Sequence, residues 1–174
     1  SAFLLRRKIS KNWISLQNDN TNLEDQTIII TGGNVGLGYE TAKDLSKRKA
    51  KSVIIACRNI EKGNEAVSSI QKATGMENVK CMKLDLSSLD SVRGFLKKLE
   101  EEVPKVNVLI CNAGVWIPED VNTRKTKDGY EMHFGVNHLA HYLLATSLKS
   151  KLEASGNGRI VFVSSSLMKS GQIN

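Results

Sequence analysis

Thr27-Ile28-Ile29-Ile30-Thr31-Gly32-Gly33-Asn34-Val35-Gly36-Leu37-Gly38 is the stretch on which the reading of this chain turns. Thr27 to Ile30 is a short β-branched run, which reads as a buried strand. Three glycines follow within a few residues. After them a helical pattern begins, with Leu37, Thr41 and Leu45 expected on one face. Strand, glycine turn and helix together make a geometry that holds a pyrophosphate. Glycine lets the backbone turn tightly and come close to a ligand, and the helix N-terminus aims free N–H groups and its positive dipole end at the phosphates. The residues placed against such a ligand are Thr31, Gly32, Asn34, Gly36, Leu37 and Gly38.

Working outward, apolar runs and helical periods alternate. Strands are expected at 27–31, 52–57, 79–84, 106–111 and 159–164. Helices are expected at about 36–49 and 60–74, the second stopped by Gly75. Leu89, Val92, Leu96, Leu99 and Val103 recur at spacings of three and four and define a third helix, capped by Ser87 or Ser88. Phe134, Asn137, His141, Leu144, Leu148 and Leu152 describe one long helix after a loop at 115–128. This β-α-β-α alternation predicts an α/β fold, a doubly wound parallel sheet of Rossmann type, at 26–174. Residues 1–25 form a basic lead-in.

With 174 residues the chain is large enough to bury a real core, and 40% hydrophobic content is globular. The net charge of +7 suits a multiply charged phosphate ligand or an anionic membrane surface. Aromatic residues make up 5% and no nucleic-acid motif accompanies the charge, so nucleic acid is not expected as a partner. Cys57, Cys81 and Cys111 are an odd number without a C-x-x-C, which argues for a reducing compartment and buried, inert thiols. Ala2-Phe3-Leu4-Leu5 before Arg6-Arg7-Lys8 is too short to span a bilayer. It reads either as a solvated basic tail or as the stub of a membrane anchor with its basic flank, the protein then facing the cytosol from a membrane such as the endoplasmic reticulum.

In a doubly wound sheet the ligand lies outside the carboxyl ends of the strands. Those ends here carry the glycine loop, Cys57-Arg58, Leu84-Asp85-Leu86, Asn112-Ala113-Gly114 and Ser164-Ser165-Ser166. His138 and His141 are spaced to share a metal, yet no third ligand of the right type is nearby, so no metal is expected. The glycine loop lacks the Lys-Ser/Thr pair of a P-loop. Strand two ends in Arg58 rather than a carboxylate, which speaks against a methyltransferase and for a cofactor with a 2′-phosphate, since the planar guanidinium fork suits a phosphate.

The set Thr31-Gly32-x-x-x-Gly36-x-Gly38, Leu84-Asp85, Asn112-Ala113-Gly114, Asn137 and Val163-Ser164-Ser165 resembles the short-chain dehydrogenase/reductase family. Ala56-Cys57-Arg58-Asn59, Thr126-x-Asp128-Gly129-Tyr130-Glu131 and Val136-Asn137-His138-Leu139-Ala140-His141 resemble its retinol dehydrogenase branch. The resemblance implies NADP(H) as cofactor and a lipophilic, retinol-like alcohol or its carbonyl as substrate. It places Arg58 on the 2′-phosphate, Asp85 and Leu86 at the adenine, and Asn112, Ala113 and Gly114 along the cofactor. It also implies that Ser165 polarises the substrate oxygen, with Ser164 as an alternative, and that Asn137 holds a water in the proton relay.

The resemblance further implies a Tyr-x-x-x-Lys beyond the serine, which these 174 residues do not contain there. Tyr39-x-x-x-Lys43 lies on the helix after the glycine loop, on the wrong side of a dinucleotide. The expectation is a C-terminally incomplete sheet without turnover by itself, open at an edge to aggregation or to pairing with another chain, a homo-oligomer included. The contrasting reading is a non-catalytic nucleotide-binding or interaction protein.

Overall fold

A computed structural model describes residues 22–117 and 124–166. The basic lead-in up to residue 21, with its anchor reading, and Pro118 lie outside the described residues. Five parallel strands form one sheet in the order β3-β2-β1-β4-β5. They are β1 (Thr27–Thr31), β2 (Ser52–Cys57), β3 (Val79–Lys83), β4 (Val108–Cys111) and β5 (Arg159–Phe162). The chain builds outward from β1 in one direction through β2 and β3, then crosses back to place β4 on the other side. β1 is thus the strand at which the order reverses, and its carboxyl end is the glycine loop. β5 lies at an edge and all four of its residues are exposed.

Alternate strand residues face opposite sides, and two cores result. Ile28, Ile30, Val53, Ile55 and Val79 pack with Ala42 of α1 (Gly36–Lys47) and with Ala66 and Ile70 of α2 (Ile60–Thr74). Ile29, Ile54, Met82 and Leu109 pack on the other face with Val92, Phe95 and Leu99 of α3 (Leu89–Glu102). Leu144 of α4 (Ala140–Ser147) and Leu152 of α5 (Lys149–Glu153) complete that second core. Both faces of β1 and β2 are covered, which is why those strands read as unbroken apolar runs.

Three expectations need correction. The first helix does not bury Leu37, which is 76% exposed. It packs through Gly38, Ala42 and Ser46, because at this close approach to the sheet only small side chains fit. The single helix expected from Phe134 to Leu152 is interrupted. It opens with a π-helical turn, Phe134–Leu139, in which Ala140 N–H donates to the Gly135 carbonyl five residues back. A further break at Leu148 separates α4 from α5. The extra residue of the π turn breaks the 3.6 period, so Phe134 is left exposed while His141, Leu144, Leu148 and Leu152 are buried. Finally, Cys81 is only half-buried, although Cys57 and Cys111 are buried as expected.

Smaller differences lie at element ends. β4 starts at Val108 rather than at residue 106, and Asn107 stands just before it. The Asn107 N–H donates to the Thr27 carbonyl and its side-chain oxygen accepts from Thr27 N–H, so Asn107 anchors the start of β1.

Candidate functional site

The carboxyl ends of β1 to β4 flank an open cavity of about 200 Å³. Seven residues expected at a ligand line it: Gly32, Asn34, Arg58, Asp85, Leu86, Ala113 and Gly114. Sequence reasoning missed Ser87, and also Met132 and Val136, which approach from the π turn and the residues before it. Nothing in the sequence separates Met132 and Val136 from ordinary core residues. Thr31, Gly36, Leu37, Gly38, Asn112, Asn137 and Ser165 lie outside this lining.

The N-terminus of α1 is open. Its cap residue Val35 offers no side-chain hydrogen bond, and the first turn holds no acidic residue. Gly36 has φ +57°, and a Cβ built on it would meet nothing within 4 Å. A left-handed backbone beside free space, at an uncapped helix start, fits an incoming anion. Gly38 is a glycine for a different reason. A Cβ there would lie 2.5 Å from the Asn112 side-chain nitrogen and 2.6 Å from the Gly32 carbonyl oxygen. The requirement at Gly38 is internal packing; the one at Gly36 leaves room for a ligand.

Thr31 and Asn112 brace the loop rather than point into the cavity. The Thr31 hydroxyl oxygen accepts from the N–H groups of Asn112 and Ala113, both at 2.9 Å. The Asn112 amide nitrogen donates to the Thr31 carbonyl at 2.9 Å. The tips of β1 and β4 are thereby pinned together at the reversal of strand order. His141 joins them, with Nε2 at 2.9 Å from the Thr31 hydroxyl and Nδ1 at 3.1 Å from the Asn137 carbonyl. With both ring nitrogens engaged, His141 is not placed to ligate a metal.

On the far side, Arg58 is exposed at the tip of β2 and lines the cavity. Asp85 follows β3, and its Oδ1 accepts from both the N–H and the hydroxyl of Ser87. Lys127 Nζ stands 3.5 Å from its other oxygen. Burial pushes the Asp85 pKa up, but the Ser87 hydrogen bonds and Lys127 outweigh it and hold the carboxyl below its ordinary value. The segment carrying Lys127 is tied down: its N–H donates to the Ser87 carbonyl, and Asp128 Oδ2 accepts from Leu89 N–H at the start of α3.

Asn137 uses its carboxamide on the loop after β4, accepting from Val115 N–H at 2.8 Å and donating to the Val115 carbonyl at 2.9 Å. Ser164 and Ser165 follow β5 and are exposed. Tyr39 points its hydroxyl at Ser69 on α2, 2.9 Å away, and Lys43 faces Glu40. Neither residue lines the cavity.

A family model described as short chain dehydrogenase matches residues 26–174. Human retinol dehydrogenase 11 is 45% identical over 152 residues, covering 87% of this chain and 46% of that protein. Human retinol dehydrogenase 13 is 42% identical over 154 residues, covering 86% and 44%. The chain spans about half the length of these curated relatives. Among solved structures, a metagenomic short-chain oxidoreductase in complex with NADP superposes with a TM-score of 0.68 at 28% identity, covering 80% of this chain and 62% of that one. A short chain dehydrogenase from Shigella flexneri superposes with a TM-score of 0.72 at 27% identity, covering 90% and 60%.

Proposed function

This chain belongs to the short chain dehydrogenase family, and from that membership we propose that it carries the cofactor-binding part of an NADP(H)-dependent oxidoreductase. The whole protein would interconvert a lipophilic, retinol-like alcohol and its carbonyl. The observation that carries this reading is the pairing of an uncapped α1 N-terminus, with free space at Gly36, and a neighbouring cavity lined by Arg58 and Asp85.

The residues divide the work by position. The α1 N-terminus and Gly36 hold the pyrophosphate, where N–H donors and the helix dipole favour negative charge. The exposed Arg58 guanidinium meets the 2′-phosphate, the charge that separates NADP(H) from NAD(H). Asp85, ionised and fixed by Ser87, accepts from the adenine amine. Ala113 and Gly114 bring bare backbone along the cofactor. A nicotinamide cofactor held by these residues would supply the hydride acceptor or donor for the carbinol carbon. Ser165 donates a hydrogen bond to the substrate oxygen, and Asn137 holds a water of the relay that moves its proton.

Fluorescence titration of the protein with NADPH and NADH tests the cofactor half of this proposal. Tighter binding of NADPH is expected; equal affinities would remove Arg58 from its role. The relatives named retinol dehydrogenase support the substrate class, tested by NADPH-linked reduction of retinal by the full-length protein. Arg6, Arg7, Lys8 and Lys11 support a cytosol-facing protein held at an intracellular membrane such as the endoplasmic reticulum. Among the described residues no helix is long and apolar enough to cross a membrane. Retention in the pellet after alkaline carbonate extraction of the full-length protein is the expected result; complete release would remove the anchor.

A further inference from the structure

His141 is 2% exposed, an unusual position for an ionisable ring, and neither the cavity lining nor the proposed chemistry accounts for it. Its two nitrogens reach two different parts of the site. Nδ1 lies 3.1 Å from the Asn137 carbonyl, four residues back, inside the π turn. A carbonyl only accepts, so Nδ1 carries the ring proton. Nε2 lies 2.9 Å from the Thr31 hydroxyl. That oxygen already accepts from Asn112 N–H and Ala113 N–H, so its own proton is left to give; Nε2 at 2.9 Å is the near acceptor, and the Ile110 carbonyl at 3.5 Å the distant one.

These bonds form a directed chain: the backbone N–H groups of Asn112 and Ala113 donate to Thr31, Thr31 donates to Nε2, and Nδ1 donates to Asn137. Burial lowers the His141 pKa, more than its bond to Asn137 raises it, which keeps the ring neutral and the chain intact. Thr31 opens the phosphate loop. Asn137 sits in the π turn, and its carboxamide holds the Val115 backbone beside the cavity.

We propose that His141 is a positioning residue that sets the phosphate loop through Thr31 and the Asn137 turn through its carbonyl, so that cofactor and proton relay are held in one register. This rests on the site assignment under Proposed function. The two contacts are separable by substitution. An Asn side chain places its amide near the position of Nδ1, and a Gln side chain places its amide near the position of Nε2.

The test compares His141→Asn, His141→Gln and His141→Leu in the full-length protein. NADPH Kd is read by fluorescence titration and kcat by NADPH-linked reduction of retinal. His141→Asn keeps the Asn137 contact and is expected to raise Kd about tenfold, more than it lowers kcat. His141→Gln keeps the Thr31 contact and is expected to lower kcat about tenfold, more than it raises Kd. His141→Leu should show both losses.

A residue that only fills the core would move Kd and kcat in the same proportion in every folded variant, and that result overturns the proposal. Far-UV circular dichroism checks folding. If the variants do not fold, nitrogen NMR of the histidine-labelled wild type decides: a proton on Nδ1 with bare Nε2, perturbed on adding NADPH, supports the linkage. A proton on Nε2, or no response to NADPH, overturns it. Absence of NADPH binding by the wild type overturns the assignment of the site itself, and the linkage with it.

Discussion

Three helices begin at the carboxyl edge of the sheet, and they begin differently. α2 is capped by Asn59, whose side chain accepts from Lys62 N–H. α3 is capped by Ser88, which accepts from Ser91 N–H, while Asp128 takes Leu89 N–H. α1 has neither, and its cap residue is Val35. A helix start leaves several N–H groups without an internal partner, so closing them stabilises the fold and leaving them open reserves donors for a ligand. Val35 stands at the cap position that Asn59 and Ser88 fill in the other two helices, so no side-chain oxygen takes up the α1 N–H groups. The contrast separates one helix start left open, the one proposed to meet the cofactor, from two that side chains close.

Five substitutions test that contrast. Gly36→Val places a branched side chain at φ +57° in the open space beside the α1 start. Strain of that kind is on the order of 1–3 kcal/mol, and the new side chain also fills the ligand's room. Loss of NADPH binding by roughly 100-fold or more is expected, with a native circular dichroism spectrum. Gly38→Val should differ, losing melting temperature as well as binding, because its Cβ meets Asn112 and Gly32 inside the protein. If both variants lost only binding, the two glycines would share one role.

Arg58→Ala should cost about 1.5–3 kcal/mol in NADPH affinity, roughly 10- to 150-fold, and leave NADH affinity where it was. Isothermal titration with both cofactors reads this directly, and equal losses would unseat the guanidinium as the 2′-phosphate partner.

Ser88→Ala removes a cap of the stabilising kind. Urea unfolding should show a loss of about 1 kcal/mol, with NADPH affinity unchanged within twofold. A large change in affinity would mean that the α3 start also serves the ligand.

The smallest effect concerns acid stability. Asp85 has its pKa depressed in the folded protein, so it contributes stability above its unfolded value of about 3.9, and that contribution is lost as pH falls through the folded value. Asp85→Asn should flatten the acid limb of the unfolding curve below about pH 4, where one proton accounts for at most about 1.4 kcal/mol per pH unit. An unchanged acid limb would show that Ser87 and Lys127 do not hold the carboxylate ionised.

Local patterns were readable wherever one rule governed a segment. Ile60–Thr74 was legible to the residue, because Asn59 caps it, its apolar positions keep the 3.6 period, and Gly75 at φ +71° ends it. Ser87 and Ser88 remained alternatives in the sequence. The structure chooses Ser88 for the cap and gives Ser87 to Asp85. The face of α1 was misread because Leu37 and Leu45 looked like a stripe, whereas distance to the sheet, not hydrophobicity, selects Gly38, Ala42 and Ser46.

The strand and helix alternation, the parallel sheet and the loop at Thr31 to Gly38 are written in the amino-acid order, because each follows from local periodicity and from glycine's backbone freedom. That order also marked the strand tips, and seven of the residues it singled out line one cavity. That Thr31 and Asn112 are braces, that Met132 and Val136 line the cavity, and that His141 joins Thr31 to Asn137 across 110 positions of sequence on one side and four on the other, emerges only in three dimensions. A hydrogen bond between distant segments leaves no periodic trace, and the π turn that precedes His141 is a local break in periodicity.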